Sequence, residues 1–209
     1  METINFKGVL DEILRLNRNT TLIVVCKKQN FEKIKYIIGL GHKDFGENRI
    51  QDAIIKWDNS FKQKNNIKLH FIGKLQSNKV KEAVHLFDYI HSLDSIKLAK
   101  KLNEQEILQK RQLKYFIQVN FGQEIQKSGL NQNDLSDFLS FCRFNTKLKI
   151  IGLMCIPPQL DDPSFHFKKL FNLSRECGLK ELSMGMSSDY QSAINLGATF
   201  VRVGSAIFK

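Results

Sequence analysis

The sequence predicts an α/β fold, a single (β/α)8 TIM barrel with an extra N-terminal helix. Three observations carry that expectation. Short apolar runs alternate with stretches of helical period along the chain, the pattern of repeated βαβ units around a parallel sheet. Eight such runs occur, and only three prolines and no Pro/Ser-rich linker interrupt them. The 209 residues, 42% of them hydrophobic, suffice for one large core and fit the lower limit of barrel lengths. An open doubly wound sheet is the competing topology, but no G-x-G-x-x-G follows the first strand. Residues 1–209 are therefore expected to form one domain.

The elements follow in order. Ile4, Val9, Leu10, Ile13 and Leu14 recur near helical spacing and mark the opening helix. Residues 22–26 form the first strand, and 31–40 a helix ended by Gly41. Asp44-Phe45-Gly46 is a short strand end, followed by a helix over 50–61. Strand 69–72 closes on Gly73 and leads to helix 77–86. Strand 89–91 precedes helix 96–108, and strand 115–119 precedes helix 135–144. Strand 148–154 is followed by helix 165–177, and strand 182–184 by helix 189–196. Ser188 and Gln191 have the S-x-x-Q spacing of a capping box there. Residues 200–203 are the last strand.

Composition narrows the function. The net charge is +11, which invites nucleic-acid or anionic-membrane binding. Yet the lysines are spread from Lys7 to Lys209 with acidic residues among them, and no motif supports such a role. No nucleic-acid partner is expected. Cys26, Cys142, Cys155 and Cys177 have no C-x-x-C spacing and no histidine cluster beside them, so no metal site is expected. Scattered single thiols suit a reducing compartment. The start, METINFKGVLDEILRLNRN, lacks the apolar core of a signal peptide, and no stretch approaches the ~18 apolar residues of a membrane span. A soluble cytoplasmic protein with no membrane contact is expected.

Active sites of this fold form at the C-terminal ends of the strands. Those ends carry Lys27; Glu47, Asn48 and Arg49; Gly73, Gln76, Ser77 and Asn78; Ser92 and Asp94; Asn120; Met154; Ser183, Gly185 and Ser187; and Arg202, Gly204 and Ser205. A helix N-terminus opened by glycine and serine binds phosphate through free N–H groups, and phosphate sites here lie after strands seven and eight. Ordinary helix capping would use the same residues. Gly185-Met186-Ser187 lacks the second glycine of a nucleophile elbow. Arg202 lies in the apolar strand FVRVG, where its permanent charge needs an ion pair or a ligand. Lys27 ends the first strand. Desolvation there would free its amine for a Schiff base with an aldehyde, whereas most such lysines reach out to water. Lys28, its neighbour, should point to the opposite face.

These residues lie in recognisable segments: VVCKK, FGENRIQD, LHFIGKLQSNK, IHSLD, IQVNFGQEIQKSG, IIGLMCIPP and LSMGMSSDYQSAINLGATFVRVGSAIF. Over nearly the whole chain they resemble the pyridoxal phosphate homeostasis proteins, whose barrel is like the N-terminal domain of alanine racemases. The resemblance implies a barrel holding pyridoxal 5′-phosphate (PLP). Lys27 would form the Schiff base, and Asn48 and Ser183 would stand at cofactor-binding positions. Met154 would line the ring, and Ser187, Gly204 and Ser205 would cradle the phosphate. Arg202 would face the pyridine nitrogen. A cation there makes the ring a weaker electron sink than a carboxylate partner does. The implied function is intracellular PLP homeostasis, as a monomeric carrier or regulator without robust turnover and without catalytic residues. PLP-dependent apoenzymes are the implied recipients.

The alternative is a racemase-like PLP enzyme, which needs a second base from Tyr190 or a partner subunit. A class I aldolase using Lys27 fits the barrel but not the arginine. The chain also departs from the family pattern. Gln29 and Asn30 replace the second lysine and the proline of K-x-K-P, and Lys74 stands where many members have proline. The last helix is expected to be a stub, with the opening helix covering the barrel instead.

Overall fold

The computed structural model describes residues 4–122 and 128–208. Lys127, in the KSG segment, lies outside the described residues. The strands are β1 (Thr21–Val25), β2 (Asp44–Glu47), β3 (Lys68–Phe71), β4 (Tyr89–Leu93), β5 (Lys114–Asn120), β6 (Leu130–Asn131), β7 (Lys149–Met154), β8 (Glu181–Ser183) and β9 (Phe200–Val203). The helices are α1 (Phe6–Leu16), α2 (Phe31–Gly39), α3 (Ile50–Lys56), α4 (Asn59–Asn65), α5 (Val80–Leu86), α6 (Ile96–Gln109), α7 (Leu135–Asn145), α8 (Pro163–Glu176) and α9 (Tyr190–Asn195). The sheet runs β4-β3-β2-β1-β9-β8-β7-β5, and β4 pairs with β5 to close it. Every pairing is parallel, so the result is the expected eight-stranded (β/α)8 barrel.

Period-two alternation divides the buried residues into two compartments. Leu22, Val24 and Cys26 face the helices with Phe45, Leu69, Phe71 and Ile90 in the main core. Ile23, Tyr89, Phe116, Met154 and Phe200 fill the barrel interior. His70 and His91 join them there. His70 stacks on Tyr89 at 4.2 Å, and His91 stacks on Phe116 at 4.3 Å.

Helix α1 buries Phe6, Val9 and Ile13 on one stripe. Its Phe6 ring meets His42 at 5.1 Å, and Asn5 N–H donates to the Ile207 carbonyl at 2.8 Å. It thus packs where the helix after β9 would lie. Among the described residues β9 is followed by a short turn, which a bridge between Ile4 and Phe208 ties to the segment before α1.

Three local expectations are corrected. The single helix over 50–61 is two helices, because Asp58 caps a new one by accepting from Phe61 N–H at 3.0 Å. Strand β6 was not expected. It is two residues long and pairs with the C-terminal end of β5, outside the closed barrel. The Ser188–Gln191 capping box does not form. Asp189 takes the N-cap position, and the Gln191 amide donates to Glu12 of α1 instead.

Two outcomes follow from this packing. A Cβ on Gly152 would lie 2.0 Å from the Glu181 carbonyl oxygen, where β7 meets β8. Gly152→Ala is expected to cost about 3 kcal/mol, roughly 6–12 °C in Tm, and an unchanged Tm would contradict this packing. Burial holds His70 and His91 below the ordinary imidazole pKa, His91 well below. An unfolded chain binds protons on these rings from about pH 6.5 downward, whereas the folded chain binds them only at lower pH. Their contribution is complete above about pH 6.5 and is lost as pH falls through the folded values. Thermal midpoints are therefore expected to fall from about pH 7 towards pH 5, and a flat profile would contradict the buried neutral rings.

Candidate functional site

The C-terminal end of β1 runs into a turn. Gln29 N–H donates to the Cys26 carbonyl at 3.1 Å, and Lys28 takes the left-handed region at φ 58°. The Lys56 ammonium donates to the same carbonyl at 2.8 Å. That ammonium also bonds Glu47 Oε1 at 2.7 Å, and Trp57 Nε1–H donates to the same oxygen at 3.1 Å. Glu47 is fully buried, on the outward face of β2. Helix α3 therefore brings Lys56 and Trp57 together to clamp the ends of β1 and β2. The clamped peptide carries Lys27, whose side chain is exposed. The desolvation expected for Lys27 is thus corrected: the turn lifts the lysine to the rim of the barrel mouth.

Lys27 borders a cleft of about 840 Å³ that is also lined by Ser187, Arg202, Gly204 and Ser205. Gly204 and Ala206 N–H groups converge on Ser187 Oγ at 3.2 and 3.3 Å, joining the loop after β8 to the turn after β9. Ser205 lies exposed between them. Arg202, on the inward face of β9, is 4% exposed. Its Nη1 donates to Ser183 Oγ at 2.7 Å and its Nη2 to the Cys155 carbonyl at 3.0 Å. Burial lowers its pKa, but the guanidinium stays charged. The same burial pushes the neighbouring Cys155 thiol up to about 12.

Five of the eight residues picked from the sequence therefore line one cleft. Ser183 and Met154 are fully buried, Ser183 directly on Arg202 and Met154 in the barrel interior. Asn48 lines a separate pocket of about 410 Å³ with Arg49, Lys74, Gln76 and Lys79. Its Oδ1 is buried without a hydrogen-bond partner. A Cβ at Gly73 would lie 2.1 Å from the Asn48 carbonyl oxygen, so only glycine lets β3 end against this loop. Tyr190 is turned away, its hydroxyl bonded to Glu12 on α1. Burial and that bond push the hydroxyl up to about 12.

Sequence reasoning missed Lys56, Trp57, His70 and His91. The histidines carried a usable signal. Each occupies an inward parity on a barrel strand, where a polar ring needs a partner. Lys56 offered none, because a helix-terminal lysine usually points to water.

Chemically, the cleft offers a reachable amine at its rim, two convergent N–H groups with two serines at one end, and a buried cation at its base. That set suits a small molecule bearing an aldehyde and a phosphate. The unpartnered Asn48 oxygen and the Ser187 hydroxyl proton, whose oxygen already accepts the Gly204 and Ala206 N–H groups, leave polar capacity for such a ligand.

Comparisons with known proteins agree. The profile of the family described as alanine racemase, N-terminal domain, matches residues 11–209. The pyridoxal phosphate homeostasis protein of Pasteurella multocida is 36% identical, over 98% of this chain and 92% of its own. PipY of Synechococcus elongatus, solved with PLP bound, has a TM-score of 0.84 at 33% identity, covering 97% of this chain and 99% of PipY. Alanine racemase of Clostridium difficile shares the fold alone, at 13% identity and a TM-score of 0.74, over 97% of this chain and 56% of the racemase. The chain belongs to the alanine racemase N-terminal-domain family, among its pyridoxal phosphate homeostasis proteins.

Proposed function

We propose that this protein binds PLP, holds it as a Schiff base on Lys27, and serves as a carrier or regulator of the cofactor rather than as an efficient catalyst. One observation carries the reading: Lys27, the Ser187–Gly204 cradle and buried Arg202 border a single cleft. Its volume, about 840 Å³, is ample for a molecule of this size. Ser187 and Ser205 would hold the phosphate, with the Gly204 and Ala206 N–H groups turning to it from Ser187 Oγ. Asn48 and Met154 would border the ring, and Arg202, oriented by Ser183, would face its nitrogen. When bound, PLP supplies an electrophilic aldehyde and an electron-withdrawing ring. Lys27 would supply the amine that condenses with that aldehyde, with loss of water.

Two features support a role without strong turnover. Arg202 cannot give a proton to the ring nitrogen, which weakens the ring as an electron sink. Tyr190, the candidate second base, is bonded to Glu12 and does not line the cleft. The relatives' names point the same way. In this reading the protein acts as a monomer and PLP-dependent apoenzymes receive the cofactor.

The test is spectroscopic. Purified protein mixed with PLP is expected to give a visible imine band, and borohydride is expected to fix a pyridoxyl group on Lys27. A label elsewhere that survives Lys27→Ala would overturn the reading. Ser187→Ala should weaken PLP binding about tenfold, the worth of one hydrogen bond to a charged group. Lys56→Met should destabilise the fold by about 3–5 kcal/mol, because it strands Glu47 as an unpaired buried charge. Calorimetry and denaturant titration measure these two effects, and wild-type values in either variant would contradict the assigned contacts.

A further inference from the structure

A continuous chain of side chains crosses the barrel interior beneath the cleft. Asp44 Oδ1 meets His70 Nε2 at 3.1 Å, and His70 Nδ1 meets His91 Nε2 at 3.0 Å. His91 Nδ1 meets Ser183 Oγ at 2.8 Å, and Ser183 Oγ receives Arg202 Nη1 at 2.7 Å. The chain climbs from the N-terminal end of β2 through β3 and β4, then crosses to β8 and β9. His70, His91 and Ser183 are each 0% exposed. Asp44 keeps 18% of its side chain in contact with solvent, at the opposite mouth of the barrel.

Donor chemistry gives this chain one direction. Arg202 can only donate, so Ser183 Oγ accepts from it. A carboxylate can only accept, so His70 carries its proton on Nε2. Each neutral ring has a single N–H. His70 Nδ1 is then bare and accepts from His91 Nε2–H. His91 Nδ1 is bare in turn and accepts the Ser183 hydroxyl proton. The Asp44 end sets this register, the Arg202 end is compatible with it, and every hydrogen in the chain then has a partner.

We infer that Asp44, His70, His91 and Ser183 are positioning residues for Arg202: a one-way relay that ties its guanidinium to a carboxylate at the far mouth and fixes it for the cofactor ring. This inference rests on the PLP reading above for the identity of the ring. The relay solves an electrostatic problem. Arg202 has no ion pair among the described residues: the charge of Asp189 favours its charged form from outside hydrogen-bond reach, and a buried charge without a direct counterion is costly. Aligned neutral dipoles pass a distant negative charge towards it.

The surrounding charges keep the register. Burial keeps both rings neutral, most strongly His91, and Arg202 opposes protonation of His91 further. Asp44 and Asp88 favour a proton on His70, while Lys68 opposes it. Burial alone would raise the Asp44 carboxyl, but the bond from His70 and the charge of Lys68 hold it low. The Tyr89 hydroxyl beneath His70 is engaged by Lys114 at 3.0 Å. A proton added to His70 would reverse the middle of the chain. His70 would donate to His91 Nε2, His91 would donate to Ser183, and the serine hydroxyl would have to turn away.

Nitrogen-15 NMR of the five histidines in the ligand-free full chain reads this register directly. The expected result is a neutral Nε2–H tautomer at both His70 and His91 at neutral pH. Asp44→Ala should replace the single tautomer of His91 with a mixture, although Asp44 does not touch His91. Asp44→Asn, which retains an acceptor oxygen, should keep it. His70→Phe keeps the stack on Tyr89 and serves where Asp44→Ala fails to fold; it too should release the His91 tautomer. In PLP-loaded protein, Asp44→Ala should shift the pH midpoint of the bound-PLP absorption, a change that a purely structural role would not cause. An Nδ1–H tautomer at wild-type His91 overturns the relay. So does a folded Asp44→Ala or His70→Phe variant whose His91 tautomer is unchanged, or one that binds PLP with an unshifted midpoint. Failure of wild-type protein to bind PLP would instead overturn the cofactor reading, because the tautomers are read without PLP.

Discussion

The barrel is arranged around one buried cation. Arg202 sits on the inward face of β9, and its charge cannot be removed by losing a proton. Everything near it is a response to that charge. Ser183 at the end of β8 and the Cys155 carbonyl after β7 accept from it. The two histidines then link Ser183 to the Asp44 carboxylate at the other mouth. Tyr89, Phe116 and Phe200 pack around the rings and hold the line in place. A barrel interior filled only with aliphatic layers would have no way to keep a guanidinium there.

A second buried charge sets the rim. Glu47 points outward from β2 into the helix layer and is neutralised by Lys56, with Trp57 donating to the same oxygen. Because the Lys56 ammonium also holds the Cys26 carbonyl, the same pair fixes the turn that presents Lys27. Lys28 accepts a left-handed backbone in that turn, which costs an L-residue about 1–2 kcal/mol. The two polar systems lie on opposite faces of the strands. The inward one orients the base of the cleft, and the outward one orients its edge. Between them the Ser187 hydroxyl and the Gly204 and Ala206 N–H groups form the polar end that suits a phosphate.

How much of this was legible in the sequence depended on whether the signal was periodic. The strands of the barrel could be read because short, mostly apolar runs of three to seven residues recur between helical stretches. Lys27, Ser187, Arg202, Gly204 and Ser205 could be placed together because the ends of parallel strands converge on one mouth. Strand β6 left no trace, since two residues carry no period. The break at Trp57 and Asp58 was hidden inside an apolar helical pattern. The capping box failed because a tertiary partner, Glu12 on α1, outcompetes a local bond for Gln191. The exposure of Lys27 depends on turn geometry, and the histidine relay depends on contacts across the barrel between residues 92 positions apart. Neither is written in local spacing.

The most direct measurement is a crystal structure of this protein soaked with PLP. The expected density places the phosphate against Ser187 and the Gly204 and Ala206 N–H groups, the ring nitrogen within hydrogen-bond reach of Arg202, and continuous density from the aldehyde carbon to the Lys27 side chain. PLP bound in the separate Asn48–Lys79 pocket, or with its phosphate on the lysines there and Arg202 unengaged, would contradict the central claim.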